Sequence, residues 1–348
     1  SGDSAERAQM GTVELAPIEA LAKEILRRVL AEEDASELRS WIIEAVTRMG
    51  GAENSEAVMT WEQSFDFCDK MIDEYEKQAR IPKNQRKILD WPWSNWNKYI
   101  DPLEAGLLAT ITAPDGQGKS IYAESIAEHW AQHKNRVAFV HYELNRKIMM
   151  MRRIARHASI SVRAIKMGNL TADEKQIIAE IRPKLESWDG SIDYIHSPGW
   201  SIDKTLDELR KLNAEKGLDV VVIDYLEKIA PSQRQMRMFG TNGFMREADN
   251  VEQLKNFAES TGIPVLMVAQ LNKVGKDTKF EDMNSSDMTG TAEKSNKSNL
   301  VVMLKRDRDK DGKFAETINV MIAKNTMGGT GVFRQAMEPQ YFRVSDLD

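Results

Sequence analysis

Apolar residues fall along this chain in two rhythms. Near the N-terminus they recur every three or four positions: Ile18, Leu21, Ala22, Ile25, Leu26, Val29 and Leu30, then, with Ser36 placed as a cap, Leu38, Trp41, Ile42, Ala45, Val46 and Met49. That period is helical, and two short amphipathic helices make a hairpin too small to bury much by itself. Trp61, Phe65, Cys68, Ile72 and Tyr75 put an apolar stripe on a third helix, which could pack in cis or on a neighbouring subunit; Ile81-Pro82 ends it. Residues 1–16 show no strong pattern and are expected to be mobile, and the Gly-Gly-Ala-Glu-Asn-Ser run at 50–55 reads as a linker. From Leu107 the rhythm changes. Apolar runs at 107–112, 137–142, 192–195, 220–223, 265–269, 300–304 and 317–322 read as strands, with helical patterns at 148–158, 172–188, 202–216 and 245–260 between them. Such alternation predicts an α/β fold, its mainly parallel sheet covered by helices on both faces. The expected organisation is a small all-α region over 1–55, a linker helix over 56–84 and one large α/β domain over 85–348.

Between the helical region and the sheet lies Trp91-Pro92-Trp93-Ser94-Asn95-Trp96. It could be a stacking platform for adenine or nucleic-acid bases. The alternative is an aromatic clamp seating the entry to the large domain, and the hydrophobic payload of tryptophan favours the clamp.

Composition narrows the picture. Of 348 residues, 41% are hydrophobic and 29% charged, as in a globular domain. No apolar run approaches the ~18 residues of a membrane span, and the polar start Ser1-Gly2-Asp3-Ser4 is not a signal peptide. The missing initial Met suggests a trimmed chain or a piece of a longer protein. Cys68 is the single cysteine, so no internal disulfide forms, which fits a reducing compartment. A net charge of −6 excludes a globally basic nucleic-acid binder but not a local basic groove.

The strongest chemistry is Ala113-Pro114-Asp115-Gly116-Gln117-Gly118-Lys119-Ser120, between the strand at 107–112 and a helix carrying Tyr122, Ile126 and Trp130 on one face. Strand, glycine-rich turn, Gly-Lys-Ser and helix make the context of a P-loop. Gly116 and Gly118 let successive N–H groups point at phosphate oxygens, and the helix presents its positive end to the same anion. Lys119 would reach the β- and γ-phosphates of ATP, and Ser120 would hold Mg²⁺. Pro114, Asp115 and Gln117 complete the turn; Ala113 stands where the first glycine is usual.

Three further strands end in groups suited to that chemistry. Val220-Val221-Val222-Ile223-Asp224 reads as a Walker B strand, Asp224 helping to hold Mg²⁺. Glu143 follows the strand at 137–142, which is expected beside the P-loop strand, and could polarise the attacking water. Gln270 ends the strand at 265–269 and could bond the γ-phosphate and report hydrolysis to the loop after it.

Together Ala-Pro-Asp-Gly-Gln-Gly-Lys-Ser, His-Tyr-Glu-Leu, Val-Val-Ile-Asp-Tyr-Leu and Val-Ala-Gln-Leu-Asn resemble the RecA-type motor domain of DnaB-like replicative helicases, over about residues 85–340. The stretch from Ala323 to Gly331 resembles that family's late motif, Lys-x-Arg followed by Gly-x-Thr-Gly. The resemblance implies a RecA-like P-loop NTPase fold and a ring, usually a hexamer, with ATP between neighbours, single-stranded DNA in the channel, and a primase or loader as further partner. It also implies that Lys324 acts on the neighbour's ATP. Thr326 stands where the family has its arginine finger; either hydrolysis is slow or Arg306, Arg308 or Arg334 substitutes.

For nucleic acid, Arg234, Arg237 and Arg246 lie after Asp224 with no acidic residue between Lys228 and Arg246, a pattern suited to tracking phosphates. The second loop, from Lys273 to Lys297, mixes its lysines with Asp277, Glu281, Asp282, Asp287 and Glu293 and is a weaker candidate, Lys273 included. His129 and His133 have zincin-like spacing without a zincin's glutamate. The expected function is an ATP-dependent helicase or translocase on single-stranded DNA in replication. The alternative is a RecA-like ATP-dependent switch or loader that separates no strands.

Overall fold

The computed structural model describes residues 15–31, 33–50, 60–82, 87–271, 280, 296–308 and 310–347. The expected linker from 51 onward, most of the second basic loop and Lys273 lie outside the described residues. The chain divides into two compact units, Ser1–Arg80 and Ile81–Asp348.

In the first unit, α1 (Leu15–Leu30) and α2 (Ala35–Gly50) pack as a helical pair. The Arg28 guanidinium lies 4.1 Å from the centroid of the Trp41 ring. α3 (Trp61–Arg80) opens with a reciprocal cap: Gln63 N–H donates to Thr60 Oγ1, and Thr60 N–H to Gln63 Oε1. Its apolar stripe stands in solvent, with Trp61 79% and Ile72 55% exposed.

The second unit begins with the tryptophan stretch, around the short helix α4 (Ser94–Asn97). Trp91 and Trp96 are buried to 1% and 0% exposure. Trp91 Nε1 donates to Asp101 O, Trp93 Nε1 to Val344 O and Trp96 Nε1 to Gln335 Oε1, each at 3.0 Å. The stretch is the clamp: with rings buried and indole N–H groups satisfied, it offers no surface to a base.

The sheet follows. In chain order come β1 (Leu108–Ala113), α5 (Lys119–Gln132), β2 (Arg136–His141), α6 (Arg146–Ala158), α7 (Val162–Met167), α8 (Ala172–Glu186), β3 (Ser191–His196), α9 (Ile202–Lys216), β4 (Val220–Asp224), α10 (Gln233–Phe239), α11 (Gly243–Thr261) and β5 (Val265–Gln270). β6 (Leu300–Lys305), β7 (Thr317–Asn325), β8 (Gly331–Glu338) and β9 (Arg343–Asp346) complete it. The strand order is β3-β2-β4-β5-β1-β6-β7-β8-β9. The first six strands of that order are parallel, and β7 to β9 extend the sheet antiparallel. Alternate residues of the parallel strands feed opposite cores. Ile111, Phe139, Val222 and Val268 join α5 and the tryptophans on one face; Leu108, Val140, Ile223 and Met267 join α9 and α11 on the other. This is the expected α/β architecture, RecA-like, with helices preceding it.

One expectation of neighbourhood fails. β2 does not flank β1: β5 and β6 do, and β4 and β5 stand between β1 and β2. The α5 crossover spans those strands, packing on β1, β5, β4, β2 and β3. β8 and β9 carry no strong apolar run because they form the sheet margin, where Phe333, Gln335 and Met337 turn inward and Val332 is 58% exposed.

Candidate active site

The turn after β1 brings the phosphate-binding candidates together. Gly116 and Gly118 take φ of +72° and +99°, the left-handed region that a Cβ disfavours. At Gly118 a Cβ would also fall 2.1 Å from Met337 Cε of β8. Ala113 is tolerated because it belongs to β1, paired with Gln270 in ordinary strand geometry. Gln117 is buried and its Oε1 accepts the Arg306 N–H at 2.7 Å, tying the turn to the end of β6; Pro114 O accepts the Gln117 N–H at 3.4 Å. Lys119, 7% exposed, donates from Nζ to Asp115 Oδ1 at 3.1 Å and stands 4.7 Å from the Tyr225 ring centroid.

Asp224 ends β4 beside the start of α5. Ser120 Oγ donates to Asp224 Oδ1 at 3.1 Å. Burial pushes the Asp224 carboxyl up to about 7, the Ser120 hydrogen bond works against that rise, and the Glu124 charge adds to it. A buried carboxylate next to a hydroxyl, with its charge under-compensated, is an oxygen donor set that fits a hard divalent cation such as Mg²⁺. Glu143 extends beyond β2, its Oε1 3.9 Å from Lys228 Nζ. Burial first, then the Glu143 carboxylate, push the Tyr225 phenol above its ordinary range. The Gln270 N–H donates to Glu227 Oε1 at 2.9 Å.

Asp115, Gly116, Gly118, Lys119, Ser120, Glu143, Asp224 and Gln270 all line one cleft of about 530 Å³. Pro114 and Gln117 belong to the same turn without lining the cleft. Six lining residues were not among the predicted site residues: Ile121, Leu144, Arg152, Tyr225, Lys228 and Phe342. Arg152 Nη1 reaches Glu124 Oε1 at 3.0 Å, and its guanidinium lies 4.5 Å from the Phe342 ring centroid. Behind it, Arg156 bonds Glu124 and Glu128, each at 2.6 Å, and Phe342 O at 2.7 Å. Burial alone would lower Arg156; the two carboxylates outweigh it and hold the guanidinium charged. This network locks α5 to α6 and to the C-terminal tail. The absence of any acidic residue from 144 to 172 was the one signal that α6 offered its cations to another element.

The remaining candidates lie outside that cleft. Arg234 is held by Asp249 through two bonds of 3.1 and 2.5 Å, with Asp203 at 3.7 Å. Arg246 Nη1 lies 3.2 Å from Met236 Sδ, and Arg237 follows on α10. Met238, Phe244 and Met245 are exposed around them. Lys324, on β7, donates to Asn296 O at 2.9 Å; burial and then Lys255 lower its basicity. It pairs with Val301 near the start of β6, and Leu300 there is level with Ala109 of β1, so Lys324 lies toward the sheet end opposite its own P-loop. Thr326 N–H donates to Asn299 O. His129 is paired with Asp90 at 2.8 Å, and His133 Nδ1 with the His129 carbonyl.

Known proteins place this arrangement. The chain is similar to the replicative DNA helicase DnaC of Bacillus subtilis (strain 168), with 22% identity, covering 94% of this chain and 73% of that protein. It is 25% identical to the replicative DNA helicase DnaB of Geobacillus stearothermophilus over 80% of this chain, and spans 62% of that relative's length. Among solved structures, a DnaB-like replicative helicase described with its primase interactions superimposes with a TM-score of 0.74 at 17% identity, covering 97% of this chain and 76% of that one. A second solved structure, an ATPase domain, gives 0.70 at 18% identity, covering 80% of this chain and 98% of that one. The model of the DnaB-like helicase C-terminal domain matches residues 92–346. By that match, which covers nearly all of the sheet-bearing unit, the chain belongs to the DnaB-like helicase family.

Proposed function

We propose that this protein is an ATP-driven motor that moves along single-stranded DNA as a ring, in replication, with a primase or loader as a further partner. The observation that carries the reading is the cleft in which the P-loop and the ends of β2, β4 and β5 converge. Lys119 neutralises phosphate charge. Glu143 accepts a proton from the attacking water at its carboxylate, and Gln270 holds the γ-phosphate or that water. Ser120 and Asp224 would hold Mg²⁺, which would supply positive charge to offset that of the phosphates. Lys324, remote from its own P-loop, acts on ATP bound by the neighbouring subunit, so hydrolysis requires assembly. Arg237, Arg246 and Lys273 follow β4 and β5 and contact the strand, while Arg234 supports them.

A second reading has a specific observation in its favour. Thr326 occupies the arginine-finger position, and the three candidate substitutes are engaged within their own chain. Arg306 donates from its guanidinium to Ala315 O, Arg308 to Gly312 O and Arg334 to Asn319 Oδ1. A slow ATPase acting as a switch or loader would result. Strand displacement on forked DNA decides: ATP-dependent release of the displaced strand supports the motor, whereas ATP-dependent binding without release supports the switch.

A further inference from the structure

Three of the four residues after β4 touch the groups expected to face the γ-phosphate. The Tyr225 ring lies against the Lys119 ammonium. Glu227 holds the Gln270 N–H. Lys228 Nζ stands 3.9 Å from Glu143 Oε1 and 5.7 Å from the Tyr225 ring centroid. The same segment leads directly into α10. Leu226 and Ile229 are buried, Ala230 N–H donates to Trp200 O, and Ser232 caps α10. Gln235 of α10, fully buried, donates to Asp249 and Asn250 of α11 at 2.6 and 2.7 Å. No glycine interrupts residues 225–239, and buried Leu226, Ile229 and Gln235 anchor the connection from the cleft to the α10–α11 corner.

We propose that Lys228 is a positioning residue for Glu143: it restrains the carboxylate at rest, and a single strand bound at the α10–α11 corner shifts the Tyr225–Lys228 turn and frees it. The inference rests on the proposed roles of Glu143 as base and of that corner as the strand contact. The pair suits a switch. Both side chains are about half exposed, 45% and 52%, so the restraint is weak enough to be broken by a small displacement.

The test is steady-state ATPase of the full chain with and without oligo(dT). Lys228→Met is expected to raise the rate without oligo(dT) about two- to fivefold, the scale of an exposed ion pair, at unchanged KM for ATP. Its ratio of stimulated to unstimulated rate falls toward one, while oligo(dT) affinity by fluorescence anisotropy stays the same. Lys228→Arg keeps the wild-type ratio. A wild-type ratio in Lys228→Met overturns the proposal, as does a loss of rate that Lys228→Arg fails to rescue. Should Lys228→Met not fold, Lys228→Gln makes the same comparison. Glu143→Gln separates the underlying reading: full ATPase in that variant removes the base, and absent oligo(dT) binding by the wild type removes the strand contact. Either result takes this inference with it for a different reason than a failed Lys228 series.

Discussion

Lys119 and Glu143 line the same cleft, yet their losses should differ. Lys119→Ala removes the cation from a buried position against the phosphates, so tight ATP binding disappears. Glu143→Gln keeps shape and binding but cannot take a proton, so ATP binds and turnover falls about 10²–10⁴-fold. Fluorescent-nucleotide titration beside a turnover assay distinguishes the two, and wild-type turnover in Glu143→Gln would take that residue out of the mechanism. A second residue governs pH response. His141 is 2% exposed with Nδ1 buried and unpaired among the described residues. Burial, then His196 and Arg152, lower its pKa from 6.5 to about 4. Below pH 6.5 the unfolded chain gains a proton that the folded form refuses until about 4, so stability falls with pH across that window. The slope approaches about 1.4 kcal/mol per pH unit. His141→Phe, among the aromatic neighbours Phe139 and Tyr194, should flatten this slope in urea unfolding series between about pH 7 and pH 5. An unchanged slope would assign the acid loss to other groups.

At the scale of elements, α10 and α11 divide the three arginines into different duties. Arg237→Ala with Arg246→Ala should weaken oligo(dT) binding and reduce the salt slope by about 1.4, the loss of two phosphate contacts at roughly 0.7 each. Arg234→Ala should chiefly lower the melting temperature, because Asp249 loses a bidentate partner inside the α10–α11 corner. Equal salt slopes in all variants would make the corner a solvated basic face with no phosphate contact. The helix α3 makes a separate case. A 20-residue helix with no buried residue and Trp61, Phe65, Ile72 and Tyr75 in solvent is not stabilised by its own packing. Deleting residues 1–80 should therefore reduce the oligomer mass seen by light scattering; unaltered mass would mean that the stripe carries no subunit contact.

At the scale of the molecule, the position of Lys324 matters most. Set toward the end of the sheet away from its own P-loop, it can serve ATP only across an interface. Lys119→Ala and Lys324→Ala should each be nearly inactive alone. Mixed and allowed to exchange subunits, interfaces that pair an intact P-loop with an intact Lys324 should recover part of the ATPase. Native mass spectrometry showing mixed rings without recovery would exclude the trans role.

The sequence by itself determined what short-range chemistry writes locally. Apolar runs of strand length alternating with helical patterns set the fold class, and Gly116, Gly118, Lys119 and Ser120 marked the phosphate turn, because only glycine relieves positive φ there. Asp224, Glu143 and Gln270 were legible because each ends an apolar strand, and parallel strands present their ends to one edge. Tertiary structure decided the rest. Which strands flank β1 depends on how far the α5 crossover reaches, which no local pattern encodes. Arg152 and Phe342 meet in the cleft although they lie far apart along the chain, and Arg234 finds Asp249 only once α10 folds back on α11. A pairing between distant residues leaves no periodic trace in the chain; it exists only after burial has chosen the partners.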